Sequence, residues 1–241
     1  MNYSKISETL RRELNNHGLA NVLYKGALTA INTCIECRVL KCITINTPNP
    51  QFLETNKRYT CAFLTSEQLF TFAENSDYEL SQQFLDTALA KGDECYAILD
   101  GEVLAAYGWY ANTPTSINRE LQLTFNPQYM YMYKGYTNDN YRGQRLHAVG
   151  MTRALQAYRE RDYKGLVSYV EGDNFNSLKS CYRMGYKDFG TVYIMKSFGQ
   201  YRLWHNSGCR DYDFYVELGQ ATEDTSPSPS FSQEHKPRAR Y

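Results

Sequence analysis

The segment YMYMYKGYT, residues 129–137, is apolar or aromatic on both of its faces when it is read as a β-strand. Side chains alternate between the two faces of a strand, so Tyr131 and Tyr133 share one face and Met130 and Met132 share the other. A strand of this kind lies inside a sheet that is covered on both sides. The segment therefore predicts an α/β fold in which helices flank a central sheet.

Two helical patterns and a strand pattern precede the main part of the chain. Apolar residues recur every four positions from Ser4 to about Asn16, which predicts an amphipathic helix that stops at Gly18. An apolar second helix and a strand that ends near Asn46 should follow. We expect the apolar helix face to pack against the core, with the binding of a lipid or an acyl chain as the alternative.

From Arg58 onward the patterns follow the order β-α-α-β-β-β-α-β-α-β-β. Ser76 and Glu79 have the spacing of a capping box, which predicts a helix that opens there and runs to Gly92. A hairpin is expected around residues 100–101, where Asp is followed by Gly.

The last third of the folded region also alternates between helix and strand. A long helical period follows the central strand, and it is succeeded by the buried strand GLVSYVEG and by a short helix that ends at Gly185. The segments TVYIMKSFGQYRLW and DYDFYVEL predict a final pair of strands. From residue 219 the tail lacks the apolar content needed to fold, so we expect it to be disordered.

These patterns divide the chain into three parts. Residues 1–57 form an N-terminal extension packed on the core, residues 58–218 form the main domain, and residues 219–241 form the tail. At 241 residues the chain is long enough to bury a core without disulfides or metals.

The composition limits the classes of partner. The formal net charge is zero and the isoelectric point is about 6.9, so the overall field favours neither nucleic acid nor an anionic membrane. No apolar run is long enough for stable membrane insertion, and a cytoplasmic location is expected. The seven cysteines suit free thiols. Cys34, Cys37 and Cys42 lie close together, but no further pair or His completes a zinc site, so no metal is expected.

The turn NDNYRGQRLHAVG, residues 138–150, has the features of an anion site. A strand that passes through a glycine into a helix leaves the first amides of that helix without partners, at the positive end of its dipole. Gly143 lets a ligand approach the backbone, and Arg142, Arg145 and His147 add cationic donors. The alternative is a surface turn that happens to carry arginines.

A second segment, NFNSLKSCYRMGY, begins at Asn174, after one helix and one strand. YRGQRL and this segment together resemble the GNAT superfamily of acyl-CoA-dependent N-acyltransferases. In that family an R-G-x-G-like turn holds the CoA pyrophosphate, and a segment with Asn followed three residues later by Ala or Ser lies on the next strand and helix. The resemblance covers about Arg58 to Leu218. Arg145 departs from it, because the family usually has Gly or Ala there.

The resemblance implies a GNAT-like mixed sheet and acetyl-CoA or another acyl-CoA as co-substrate. It also implies that the strand diverges from its neighbour near its end, so that the pantetheine arm pairs with the exposed backbone. The implied cofactor-binding residues are Gly135, Tyr136, Thr137, Arg142, Gly143, Gln144, Arg145, Leu146, His147 and Asn174. The implied reaction is direct attack of a primary amine on the thioester.

The candidates for proton transfer are less clearly defined. As the general acid, the family commonly uses a Tyr four residues before the glycine that ends the second helix. Here Cys181 occupies that position and Tyr182 follows it. Either could protonate the leaving thiolate; alternatively, Cys181 packs in the core and water supplies the proton. Glu171 is the candidate base, with Asp173 nearby, and its alternative is a solvated strand end or a helix cap.

The acceptor and the oligomeric state stay open at this point. The acceptor is expected to be a small-molecule or peptide amine, such as a peptide N-terminus, a lysine side chain, an amino sugar or a polyamine. A homodimer is one expectation for the assembly. A catalytically inactive module that binds acyl-CoA is the alternative function.

Overall fold

The computed structural model of the chain describes residues 11–33 and 35–219. The helices are α1 (residues 11–17), α2 (Leu19–Ile31), α3 (Ser66–Ala73), α4 (Gln82–Ala90), α5 (Leu146–Glu160) and α6 (Phe175–Met184). The strands are β1 (Glu36–Ile45), β2 (Tyr59–Phe63), β3 (Glu94–Asp100), β4 (Val103–Ala111), β5 (Thr115–Ser116), β6 (Leu121–Thr124), β7 (Tyr129–Thr137), β8 (Gly165–Glu171), β9 (Lys187–Ser197), β10 (Gln200–His205) and β11 (Tyr215–Leu218).

Eight strands form one mixed sheet in the order β10-β9-β1-β8-β7-β4-β3-β2, and β11, β6 and β5 form a smaller second sheet. In the described part of the chain, neighbouring strands are antiparallel apart from β7 and β8, which are parallel. Helices flank the large sheet, so the predicted α/β class with a mixed central sheet is confirmed. None of the helices in the described ranges is long and apolar enough to cross a membrane.

The strand β7 lies between two apolar layers, as its sequence predicts. Tyr131 and Tyr133 pack into the layer that contains residues of α3, α4 and the second sheet. Met130 and Met132 pack into the opposite layer, beneath α5 and α6. Both faces of β7 are therefore buried, and the strand sits near the middle of the sheet.

The N-terminal strand β1 is a full member of the large sheet. It is inserted between β8 and β9 and pairs with both in antiparallel fashion. The sequence division placed this strand in an extension packed on the core; instead it forms part of the core, with Leu40, Cys42 and Ile43 fully buried. Sequence patterns identify a strand but do not specify its neighbours, which explains the difference. The limits of the domain at residues 58 and 218 stay a prediction.

The helix α2 differs from the expectation that its apolar face would be buried. None of its described residues is buried, and Leu19 and Leu23 are each 63% exposed. Its contacts with the domain include the ring of Tyr24 against Phe175, at the start of α6. Gly18 separates α1 from α2 with a φ of 79°, so the predicted helix end at this glycine is confirmed. Residues 4–10 of the predicted first helix lie outside the described residues.

The helix predicted to open at Ser76 begins later. Ser76–Tyr78 forms a single 3-10 turn, and Glu79 ends it in the left-handed region with a φ of 56°. The helix α4 then starts at Gln82, with the Ser81 side chain accepting a hydrogen bond from the Phe84 amide at 3.2 Å. The predicted capping box is therefore wrong, because a local side-chain pattern cannot exclude a left-handed residue inside it.

The predicted final pair of strands is also arranged differently. The segment TVYIMKSFGQYRLW folds into the β9–β10 hairpin, which turns at Phe198 and Gly199, both with positive φ. The segment DYDFYVEL supplies β11, which pairs with β6 in the second sheet. Residues 220–241 of the predicted disordered tail lie outside the described residues.

The cap of α4 can be tested by mutation. Ser81→Ala removes the acceptor for the Phe84 amide, and we expect it to lower the free energy of unfolding by about 1 kcal/mol. Ser76→Ala is the matched control, and its effect should stay within about 0.5 kcal/mol because Asn75, not Ser76, caps the 3-10 turn. Chemical denaturation measures both; a larger loss for Ser76→Ala would contradict the observed helix start.

Candidate functional site

The site centres on a gap between β7 and β8. Their parallel pairing in the described chain covers only residues 129–131 and 165–167. Just beyond it, the Ser168 hydroxyl donates to the Met132 carbonyl at 2.7 Å. Past this bond β8 pairs with β1, from Ile43↔Ser168 to Leu40↔Glu171, while its other edge diverges from β7. The backbone edges of β7 and β8 are thereby open toward each other, as the resemblance implied.

A β-bulge lies on β7 where this gap begins. Trp109 of β4 pairs with Lys134 and Tyr110 pairs with Met132, so Tyr133 is an extra residue that lacks a pairing partner on β4. A bulge leaves backbone groups of the extra residue outside the ladder and turns the local strand direction. The bulge therefore changes the direction of β7 where the gap begins.

The strand β7 leads directly into the predicted anion turn. Gly143 has a φ of 82° and Arg145, the N-cap of α5, has a φ of 60°. In the described structure the Arg145 side chain makes no capping hydrogen bond, and the first turn of α5 carries no acidic residue. The first amides of α5, including that of Leu146, thus remain open to an anion. The left-handed φ of Arg145 is one that glycine adopts without strain.

The side chains of the turn are mostly solvent-exposed. Arg142 forms an exposed ion pair with Asp139 at 2.8 Å, and the Arg145 side chain is also exposed. Gln144 accepts a hydrogen bond from the Tyr59 hydroxyl at 2.6 Å. Both arginines can therefore reach an anion at the start of α5, while Gln144 ties the turn to β2.

His147 does not supply a cation to this site. It is on α5 and packs against Gly135 of β7. Burial lowers the pKa of the imidazole to about 4, so it is neutral near pH 7. The predicted cationic role of His147 is therefore wrong. Gly135 permits this packing, because an added Cβ would lie 2.6 Å from His147 Cε1.

The remaining predicted residues of β7, Tyr136 and Thr137, pair with β4. The Tyr136 ring stacks on Tyr107 of β4, with ring centroids 5.0 Å apart, and burial raises the pKa of Tyr136 to about 12. Thr137, which pairs with Ala106, ends the strand. The Tyr136 side chain is therefore occupied by packing.

A polar groove lies beside the anion turn. It encloses about 240 Å³ and is lined by Glu54, Thr55, Asn56, Arg58, Tyr59, Gln144, Leu146 and Val149. Its wall is held by Asp100, which is ion-paired with Arg58 and accepts a hydrogen bond from the Tyr141 hydroxyl at 2.7 Å. These bonds hold the pKa of Asp100 below its usual value. The network fixes the turn against β2 and β3.

Asn174 has a structural role in the described chain. Its side chain accepts a hydrogen bond from the Ser177 amide at 3.1 Å and caps α6. Gly185 ends the helix in the left-handed region with a φ of 105°, so the predicted helix end is confirmed. The Asn-x-x-Ser pattern is explained by this cap.

Of the two candidate acids, one is buried and the other is hydrogen-bonded to a carboxylate. Cys181 is buried in the layer beneath α6, and burial raises the pKa of its thiol to about 12. Tyr182 is 43% exposed and donates to the carboxylate of Asp188 at 2.9 Å; its pKa is raised to about 12 by burial and by this bond. Asp188 lies on β9, two strands beyond β8, which is roughly 10 Å from that strand.

Glu171, the candidate base, stands at the open end of the gap. It is the last residue of β8, and its Oε1 accepts hydrogen bonds from Arg38 on β1, including one from Nε at 3.0 Å. Burial raises the pKa of Glu171, and the positive charge of Arg38 opposes that effect. A side chain from the N-terminal strand thus enters the site.

A row of buried tyrosines crosses the same face of the sheet. Tyr169 of β8 stacks on Tyr131 of β7 across the start of the gap, with centroids 6.3 Å apart, and Tyr131 stacks on Tyr133 at 5.9 Å. The Tyr133 hydroxyl donates to buried Asp93 at 2.8 Å, and Asp93 is ion-paired with Lys91 at 3.0 Å.

Sequence reasoning missed Arg38, Asp93 and Tyr169. Asp93 follows a predicted helix end, and Arg38 and Tyr169 sit in strand patterns, so no local signal distinguishes them. Among the residues that the structure describes, no group of three His, Cys, Asp or Glu side chains could hold a metal ion.

Solved structures similar to this chain include several described as GNAT-family proteins. One is a putative GNAT-family acetyltransferase from Novosphingobium aromaticivorans, with 12% identity, a TM-score of 0.45, and coverage of 66% of this chain and 64% of that one. Another is a GCN5-related N-acetyltransferase-like protein from Streptococcus suis, with 10% identity, a TM-score of 0.47, and coverage of 75% and 68%. A GCN5-related N-acetyltransferase from Sphaerobacter thermophilus has 10% identity, a TM-score of 0.46, and coverage of 80% and 56%.

The chain spans 64% of the length of the Novosphingobium protein, and it spans 58% and 65% of the length of two further similar structures. The sequence matches none of the protein-family models and none of the curated proteins with which it was compared.

The contact between Gly135 and His147 can be tested directly. Gly135→Ala forces a methyl group against the imidazole, and we expect a loss of about 1–3 kcal/mol in the free energy of unfolding. The control is Gly26→Ala in exposed α2, where an added Cβ meets nothing within 4 Å, and it should stabilise the chain slightly or leave it unchanged. Denaturation curves measure both, and equal stability of Gly135→Ala and the wild type would contradict the close packing.

Proposed function

We propose that this protein transfers an acyl group from acyl-CoA to a primary amine. The observation that carries the proposal is the succession of two features: the open β7–β8 gap is followed, through the turn at residues 138–145, by the uncapped start of α5. An extended ligand with a peptide-like arm and an anionic end fits such an arrangement, because strand edges bind amides and helix starts bind phosphates.

The residues present suit CoA. The amides from Gly143 to His147 would hold the pyrophosphate, with Arg142 and Arg145 as charged donors. The backbone of residues 135–137 would pair with the pantetheine arm. The groove beside Tyr59 offers room for further parts of the nucleotide. Bound acyl-CoA supplies the thioester whose carbonyl carbon the amine attacks.

The chain's own groups support three tasks in the reaction. Glu171 would accept the proton that the ammonium group of the acceptor loses, since a neutral amine is the nucleophile. A backbone N–H at the bulge around Tyr133 would donate to the oxyanion. The buried tyrosines Tyr131 and Tyr169 would line the acceptor side of the gap. The proposed acceptor is a primary amine.

The leaving thiolate would take its proton from water. Cys181 packs in the core and Tyr182 is bonded to Asp188 over β9, so their positions favour water over either side chain. A second candidate function, a module that binds acyl-CoA without catalysis, draws support from the same observation. Thioester-consuming turnover with any amine separates the two.

The source of the proton for the leaving thiolate can be tested by mutation. We expect Tyr182→Phe and Cys181→Ala each to keep turnover within about twofold of wild type, because Cys181 packs in the core and the Tyr182 hydroxyl is bonded to Asp188. Steady-state release of free CoA at saturating amine measures this. A drop of 100-fold or more in kcat for one variant, with its fold intact by circular dichroism, would restore that residue as the acid.

Cofactor binding is tested by calorimetry or intact-mass screening against acetyl-CoA, a long-chain acyl-CoA and free CoA. We expect all three to bind, and Arg142→Ala and Arg145→Ala each to weaken binding by about tenfold, since each removes a charge-assisted contact with phosphate. Arg183→Ala, an exposed arginine in the last turn of α6, is the matched control and should bind as wild type does. Absence of binding to all three ligands would overturn the proposal.

A further inference from the structure

We propose that Arg38 of β1 is a positioning residue that holds the Glu171 carboxylate, in its ionised form, at the open end of the β7–β8 gap. The inference rests on the proposed function and adds to it, because it gives the N-terminal strand a role in proton removal from the acceptor amine.

The sheet register places the two side chains together. Leu40 pairs with Glu171 across the β1–β8 ladder, and Arg38 is two residues from Leu40, so all three side chains lie on the same face. The next step of the ladder is closed by the Gly172 amide, which donates to the Val39 carbonyl at 2.7 Å. The position of Arg38 opposite the end of β8 is thus fixed by backbone hydrogen bonds.

The contact itself is directional and partly sheltered. Arg38 donates from both Nε and Nη2 to Glu171 Oε1. The two side chains are only 23% and 17% exposed, whereas the Arg161–Glu94 pair is 45% and 36% exposed. A partly buried ion pair is less screened by solvent and salt, so Arg38 restricts both the rotamer and the charge state of Glu171.

The pair faces the acceptor side of the gap. Tyr169, two residues before Glu171 on β8, interacts with the Arg38 guanidinium and stacks on Tyr131 across the gap. The other charged or titratable groups that face Glu171 are Glu36 on β1, Asp173 after β8 and Tyr24 on α2. Arg38 is therefore the cation that counters several acidic groups at this end of β8.

The effect on pH dependence has a definite sign. Burial and the nearby Asp173 and Glu36 raise the pKa of Glu171, whereas Arg38 lowers it. Loss of Arg38 should therefore raise the pKa of Glu171 further. A base acts only when it is ionised, so activity is lost as the pH falls through its pKa, and without Arg38 this loss begins at a higher pH.

The experiment compares Arg38→Met and Arg38→Lys with wild type in two measurements. A carbon NMR titration follows the Glu171 carboxyl, assigned with Glu171→Gln, and pH–rate profiles of kcat/KM follow acyl transfer from acetyl-CoA to a primary amine. We expect Arg38→Met to raise both the midpoint of the Glu171 titration and the acidic limb of the pH–rate profile by about one pH unit. At pH values on the acidic side of the limb, kcat/KM should then be about tenfold lower than in wild type. Arg38→Lys keeps the positive charge, so both of its curves should lie close to those of wild type.

Arg161→Met, which removes the arginine of the other Arg–Glu pair, is the matched control and should move neither curve. An unmoved carboxyl titration in Arg38→Met overturns the inference. A moved titration with an unmoved acidic limb also overturns it, because Glu171 would then not govern the rate. If wild type binds acyl-CoA but shows no turnover with any amine, the proposed catalysis fails, and the proposed role of Arg38 fails with it. If wild type shows turnover but Arg38→Met leaves the acidic limb of the pH–rate profile unmoved, only the role of Arg38 is refuted.

Discussion

The exchange of partners along β8 is the constraint on which the candidate site depends. For its first residues β8 pairs with β7 on one side, and from Ser168 onward its ladder with β1 continues while the ladder with β7 ends. Because β8 stays paired with β1, it can leave β7 without losing its place in the sheet. The backbone hydrogen-bonding groups that this divergence leaves open would be costly if no ligand or solvent paired with them.

The features around the gap act together. The bulge at Tyr133 alters the direction of β7 at the point where the strands part, and the turn at residues 138–145 then connects the strand to α5. Gly135 lets His147 pack against β7, which holds α5 close to the strand. The strand β7 and the helix α5 are therefore joined by a packing contact as well as by the turn between them.

The two faces of the sheet have different chemistry. The face beneath α5 and α6 is mainly apolar, and it contains Cys181. The opposite face carries the tyrosine row between the Arg38–Glu171 and Lys91–Asp93 ion pairs. Phenols and ion pairs are stabilised there by mutual hydrogen bonding in a partly buried setting. Under the proposed function, the acceptor amine would approach the gap from this polar face.

The sequence by itself determined the elements whose signals are local: the two-faced strand β7, the turn at Gly143, the long helix after it, and the end of α6 at Gly185. It did not determine that β1 lies beside β8 or that Arg38 meets Glu171 over 133 residues of sequence separation. Periodicity and capping depend on neighbours within a few positions, so they are readable in the chain. Strand order and register depend on long-range pairing, and only the tertiary structure decided which side chains share the site.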